Sequence, residues 1–511
     1  MKLRNRSWTL VAALALCTAA ASAQDQKQEI SPIDPNAPLQ PLEATPAGGY
    51  ANKPPVGVVR GVDVAFEPQA YDPAQVVPDR YTLAGAAPLT LGSLQHTRNI
   101  FDPAISYSQV GQLVPGTTGQ SVLTGNSVIS ASLNFNRNWS EYHFATSYNG
   151  GETFNQGYTS APTFFGQTSP RTQFHGLAVT QEVDWARWHI LLRDDFMASP
   201  GAAFTGQGMG GPGLAAQFSS MLGSSLTSLA QSFQPSETVN TGSVMRYRNS
   251  ILGQAEYSLS RRSAFTFSGS YGLLHFSGAG YFNSTMLDAQ GGYDYLLDPA
   301  NSIAILGTYG KINYSGTGTP TTGATTVATG NSTSDYGGAL AYGRKITGRL
   351  AFQVAAGPQE ILFSGPGGAG DFHHLFFSIN SALSYERRRS GLSLSYVRGL
   401  TAGSGVTLGA TGNTFSGSAH HQFTRFWTGN VNGGYALNNS LVPAGVTSTQ
   451  FDNWFMGANL GRQVGPHAQI NFNYGATRQN SPANCLVVFC GGTGLQQTFG
   501  MSVNWHLRPA G

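Results

Sequence analysis

The charged side chains that could do chemistry here are few, and they sit at strand-like spacing. The acids Glu141, Glu182, Asp184, Asp195, Glu256, Asp288 and Asp294 and the bases Arg193, Arg246 and Arg248 fall in polar rows that alternate with apolar ones. Facing a water-filled interior, such charges tune which ions or solutes pass. Arg246 and Arg248, two apart on one strand, would form a short basic ladder. The plainer reading is that these are interior charges paired across strands, and their mixed signs argue against strong selectivity. Covalent chemistry has little support. Gly206-x-Gly208-x-x-Gly211 matches a dinucleotide fingerprint in letters, but Pro212 follows and no βαβ setting surrounds it. The pairs His373-His374 and His420-His421 are adjacent, so on a strand each pair points to opposite faces and makes a poor chelate. There is no Gly-x-Ser-x-Gly elbow. The expectation is no catalytic residue, no cofactor and no metal.

The elements that must carry these side chains are strands with a period of two. Between residues 371 and 398, Leu375, Phe377, Ile379, Leu383 and Tyr385 fall on one side, and His374, Ser378, Asn380, Ala382, Ser384 and Glu386 on the other. A short charged turn, Arg387-Arg388-Arg389, follows, and the alternation restarts at Leu392, Leu394 and Tyr396. This is an antiparallel hairpin with one apolar face. The unit recurs from about residue 100, with short turns near 136–138, 186–187, 261–262, 298–299, 347–348, 425 and 465–466. The opposite connections are long and rich in Gly, Ser, Thr and Pro, as at 150–170, 199–240, 316–330, 365–370 and 480–494. Short turns at one rim and long loops at the other are the asymmetry of outer-membrane barrels.

Composition agrees. Only 10% of the 511 residues are charged, less than half the share in a soluble globular chain, yet no internal apolar run reaches the length of a membrane helix. A membrane barrel resolves this, because only the lipid-facing half of each strand must be apolar. The fold expected is all-β: a transmembrane antiparallel up-and-down β-barrel of about 18 strands, with 16 as the alternative, short periplasmic turns and long extracellular loops. Trp139, Trp185, Trp188, Trp427, Trp454 and Trp505 lie near strand ends, where interfacial girdles form. The net charge of +3 gives no reason to expect a nucleic-acid partner.

Residues 1–23 read as a cleaved signal peptide: Lys2, Arg4 and Arg6, then an apolar core, then Ala21-Ser22-Ala23. Residues 24–97 are rich in Pro, Ala and Gln and read as a periplasmic extension or partial plug, and residues 98–511 as the barrel. Outside the signal peptide only Cys485 and Cys490 remain, and in an oxidising compartment they are expected to form a loop disulfide, two free thiols being the alternative. Residues 213–233 break the period of two; Leu214, Phe218, Met221, Leu222, Leu229 and Phe233 share a helical face. That segment is expected to fold inward and narrow the pore, or to cap the outer mouth, the alternative being a helix packed on its own loop.

From about residue 100 to 507 the chain resembles the porin-like outer-membrane β-barrels of Gram-negative bacteria. The carriers are hairpins such as YSLSRRSAFTFSGSYG (257–272) and YERRRSGLSLSYVRG (385–399); the second is also similar to barrels found with exopolysaccharide export loci. The chain ends Leu507-Arg508-Pro509-Ala510-Gly511, where such barrels often end on an aromatic residue, so the expectation is either that Trp505 serves the insertion machinery instead or that the insertion signal is altered. The resemblance implies an outer-membrane location and a passive diffusion channel for small hydrophilic solutes. Expected partners are outer-membrane lipid, the barrel-insertion machinery, those solutes and a periplasmic protein met by the N-terminal extension. The alternatives are a barrel associated with exopolysaccharide export or assembly, and a structural or adhesive surface barrel.

Overall fold

The computed structural model describes residues 100–507 except 116–120, 140, 157–170, 201–243, 279–280, 322–323, 328–329, 366–370, 388, 403–404, 406, 442–449 and 481–493. The alternating runs become strands β1 (Ile100–Pro115), β2 (Ser121–Asn138), β3 (Tyr142–Gln156), β4 (Arg171–Asp184), β5 (Trp188–Pro200), β6 (Met245–Ser258), β7 (Ser263–Phe276), β8 (Asn283–Asp298) and β9 (Asn301–Ser315). Two short strands, β10 (Thr317–Thr321) and β11 (Ala324–Val327), form a separate hairpin within a long connection. The wall resumes with β12 (Ser332–Thr347), β13 (Leu350–Ser364), β14 (Phe372–Arg387), β15 (Ser390–Thr401) and β16 (Ala410–Gln422). It ends with β17 (Trp427–Ser440), β18 (Gln450–Val464), β19 (Ala468–Asn480) and β20 (Gly494–His506).

Each wall strand pairs antiparallel with its sequence neighbours, and β9 pairs with β12 across the small hairpin, giving an 18-stranded sheet. The sheet closes where β1 meets β20, with Ile105 opposite Trp505 and Tyr107 opposite Val503. Closure leaves no edge strand in the 18-stranded wall, the condition for crossing hydrocarbon with strands. Wall strands run from 12 to 18 residues, enough to span a bilayer when tilted.

The side-chain alternation resolves into two faces. Ile105, Ile129, Leu192, Ile305, Leu340 and Leu375 point out and are among the most exposed apolar residues. Ser130, Thr180, Ser250, Thr266 and Asn453 point in and are buried. A water-soluble protein would reverse this. An apolar exterior around a polar interior is the pattern of a barrel whose solvent outside is lipid. Trp139, Trp185, Trp188, Trp427 and Trp505 all lie at the short-turn ends of their strands, whereas Trp454 lies toward the other rim. Arg137 and Arg462 place their guanidinium groups over Trp139 and Trp427, at 4.8 and 5.3 Å from the ring centroids. In the turn between β8 and β9, Asp298 accepts from the Asn301 side chain (2.7 Å) and from the N–H groups of Ala300 and Asn301 (2.8 and 2.9 Å). These bonds hold its carboxyl below the usual range, the Asn301 side chain contributing most.

Several boundaries differ from the sequence reading. The turn expected at 136–138 is strand, because Asn136 and Asn138 pair with Ala145 and His143. Where a loop is expected from Gly150, the chain is still strand as far as Gln156. Gly150 and Gly151 continue β3 opposite Ala131 and Ser130. Glycine is required there: a Cβ on Gly151 would sit 2.2 Å from the Ile129 carbonyl oxygen. The connection expected to be plain loop at 316–330 contains the β10–β11 hairpin.

Candidate functional site: the lumen wall

Following the inward rows around the barrel separates two arcs. On β1–β9 and β12 the inward rows carry the charge. Acids are Asp102, Glu182, Asp184, Asp195, Glu256, Asp288, Asp294 and Asp335; bases are Arg193, Arg246, Arg248 and Lys345. On β13–β20 the inward rows of described side chains contain no Asp, Glu, Lys or Arg. Glu386, whose register has inward parity, stands at the rim end of β14. Hydroxyls and amides fill this second arc. Ser393 and Ser395 bond Ser418 and Ser416 at 2.7 and 2.6 Å, and Asn459 donates its amide to the Asn473 carbonyl oxygen.

Burial varies around the wall. Glu182, Ser250, Glu256, Thr266 and Asp294 are each 2% exposed or less. Ser384, Ser393, Ser418, Asn430 and Asn432 also point inward, yet they are exposed. The exposed inward residues cluster on β14–β17, whereas inward residues of β18–β20 such as Asn453, Thr477 and Thr498 are as buried as those of the charged arc.

Within the charged arc acids and bases are interspersed along the barrel axis. Near the short-turn rim, the hairpin of β4 and β5 brings Glu182 and Asp184 against His189. The His189 Nδ1 atom is 2.7 Å from an Asp184 oxygen and its Nε2 is 3.3 Å from Glu182 Oε1. His143 Nε2 lies 3.4 Å from the other Asp184 oxygen. Farther up, Arg193 forks onto Asp195 with bonds of 2.6 and 2.9 Å. Asp288 and Asp335 converge over Gly310, where a Cβ would sit 3.0 and 2.1 Å from their oxygens. Ser270 donates to Asp288 at 3.3 Å and Gln359 donates to Asp335.

At the far mouth the described part of the β15–β16 connection lies as a strap against the inner wall. Leu400, Ala402 and Leu408, where β15 passes into β16, pack with Phe282, Met286, Ile312 and Tyr314. Phe282 donates its N–H to the Gly405 carbonyl at 2.9 Å. Beside this cluster Leu274, Phe276, Tyr281 and Val244 form a second one. The inner wall here is apolar because it is covered by the strap, so the polar-in pattern fails locally.

The sequence-selected residues fall as follows. Glu182, Asp184, Arg193, Asp195, Arg246, Arg248, Glu256, Asp288 and Asp294 all occupy inward rows. Glu141 does not: it precedes β3 in the turn, is exposed, and its carbonyl accepts from the Asp184 N–H. Arg246 and Arg248 share a face, but Arg246 is fully buried with its guanidinium 5.8 Å from the Phe276 ring centroid. It is part of the packed mouth rather than a rung lining open water. His373 and His420 point to opposite sides from His374 and His421, as strand geometry requires. Sequence reasoning missed the Glu182–Asp184–His189 grouping, whose signal was an acid pair two apart followed across a tight turn by a histidine. It also missed the strap, signalled by Leu400, Leu408 and the left-handed glycines Gly405 and Gly409. Cys485, Cys490 and residues 1–97 and 213–233 lie outside the described residues.

No family model matches the chain, and no curated protein matches it. Among solved structures it is similar to OccAB2 of Acinetobacter baumannii, with 8% identity over 80% of this chain and 98% of that one, TM-score 0.39. It is similar to the outer membrane protein OpdK of Pseudomonas aeruginosa, with 9% identity, 80% and 98% coverage and TM-score 0.37. It is also similar to OccK8 (OprE) of Pseudomonas aeruginosa, with 10% identity, 80% and 98% coverage and TM-score 0.35. The class rests on the chain's own geometry: a closed, lipid-facing sheet around a polar, partly solvent-lined lumen is a porin-like transmembrane β-barrel.

Proposed function

We propose that this protein is a passive diffusion channel of the bacterial outer membrane for small hydrophilic solutes, exported by a cleaved leader at residues 1–23. The observation that carries the reading is the uncharged inner arc of β13–β20, where the hydroxyls and amides of Ser384, Ser393, Ser418, Asn430 and Asn432 on β14–β17 are exposed inside a closed barrel. At this strand number side chains do not fill a barrel, and a water-lined passage is the expected result. Diffusion along that wall needs no covalent step, and none is assigned.

The same arc favours a narrower solute class. Serine hydroxyls and asparagine amides both donate and accept, and so can replace the hydration of neutral polyhydroxylated molecules without attracting a charge. This observation also keeps a role in saccharide export within the reading. The test is swelling of proteoliposomes. Neutral sugars should enter faster than dianions of equal size. Equal rates for both would remove the neutral-solute reading while leaving the channel itself intact.

A further inference from the structure

We propose a first-row divalent cation site in the charged arc near the short-turn rim, with His189 Nε2 and the carboxylates of Glu182 and Glu256 as ligands. One ligand atom each from Glu182, Asp184 and His189 lie within 4.8 Å of one another. His189 already has the geometry of a metal-bound imidazole. Its Nδ1 is 2.7 Å from Asp184, which fixes ring and tautomer, and its Nε2 faces Glu182 Oε1 at 3.3 Å. That spacing suits two donor atoms each about 2.0–2.2 Å from a shared ion.

The second observation comes from a different strand. Glu256 stands directly across the β5–β6 register from His189. It is 2% exposed, and its Oε2 has no hydrogen-bond partner. Its neighbour in charge, Asp294, is 1% exposed and leaves Oδ1 without one. No lysine or arginine forms an ion pair with either acid among the described residues. Buried carboxylates are retained when they are paired or bound to a cation. Opposed strand residues have Cβ atoms about 4.5–5.5 Å apart, which sets Glu256 beside His189, next to the Glu182–Asp184–His189 grouping. An imidazole with two carboxylates suits zinc, cobalt or manganese rather than the all-oxygen preference of calcium. Asp184 is a positioning residue, acting through His189.

The test uses purified full-length protein in detergent, stripped with chelator and titrated with Co2+ and Zn2+. It does not depend on conductance, so its failure is separate from failure of the channel reading. The expected result is one Co2+ per chain with a visible ligand-field band, displaced by Zn2+. His189→Gln should abolish the band, and Glu256→Gln should do so or weaken binding at least about tenfold. Asp184→Asn should keep the band and weaken binding by about 10- to 100-fold. Asp195→Asn, on the neighbouring ion pair, should leave binding unchanged. If His189→Gln does not fold, pulsed EPR of Mn2+ bound to the wild-type protein still decides: imidazole nitrogen coupling is expected. Absence of stoichiometric binding, binding unchanged by His189→Gln, or a bound ion with oxygen ligands only would overturn the site.

Discussion

The N–H of Phe282 donates to the carbonyl of Gly405 at 2.9 Å, joining the β7–β8 connection to the β15–β16 connection with β9 and β12–β14 between them in the wall. The bond can form only where the strap lies flat on the inner wall. Gly405 adopts a φ of +76°, and a Cβ there would sit 2.3 Å from the Phe276 ring. Gly405→Val therefore strains the backbone by about 1–3 kcal/mol and pushes the strap off the wall. Single-channel recording should show a higher conductance than wild type, with Gly399→Ala, whose added Cβ meets open space, unchanged. Equal conductance in both variants would show that the strap does not limit the mouth.

The surplus of acids in the inward rows gives a second expectation. Under a salt gradient the reversal potential should show a modest preference for cations. Asp288→Asn combined with Asp335→Asn should reduce it, because these two carboxylates face each other over Gly310. The preference should fade with added salt, since screening shortens to about 3 Å at 1 M. An anion preference in the wild type would contradict the charge map.

Leu340 and Ile305 stand opposite each other on the outer face at mid-strand, 69% and 64% exposed. If that face meets hydrocarbon, Leu340→Arg should cost about 2–4 kcal/mol in lipid. Urea unfolding in vesicles would measure it. A cost near zero would place this surface in water.

Much of this architecture is legible from sequence, because a period of two and sorted loop lengths are local signals. Leu375 and Phe377 against His374 and Ser378 declare the two faces of β14 without any long-range information. The strand number follows from counting turns. What is not legible depends on register and on contacts across the lumen. Glu182, Asp184 and His189 meet only because three residues of turn align β4 on β5, and Glu256 comes to stand opposite His189 from a strand more than fifty positions later. Arg246 looks like a pore charge by parity, yet the distant residue Gly405 helps to cover its neighbour Phe276. Glu141 has inward parity as well, but the strand starts one residue too late to carry it.

Gly151 offers a check on register. It lies opposite Ser130, and a Cβ there would meet the backbone of the next strand. Gly151→Val should cost about 1–3 kcal/mol by overpacking. Heat-modifiable gel mobility and urea midpoints would show it, whereas a neutral effect would mean that β2 and β3 pair differently.

The most direct measurement is electrical. Purified protein, shown to be folded by its heat-modifiable mobility, is added to a planar lipid bilayer. Discrete, ohmic conductance steps are the result expected of an 18-stranded barrel with a solvent-lined arc. A folded protein that inserts and yields no steps would contradict the account.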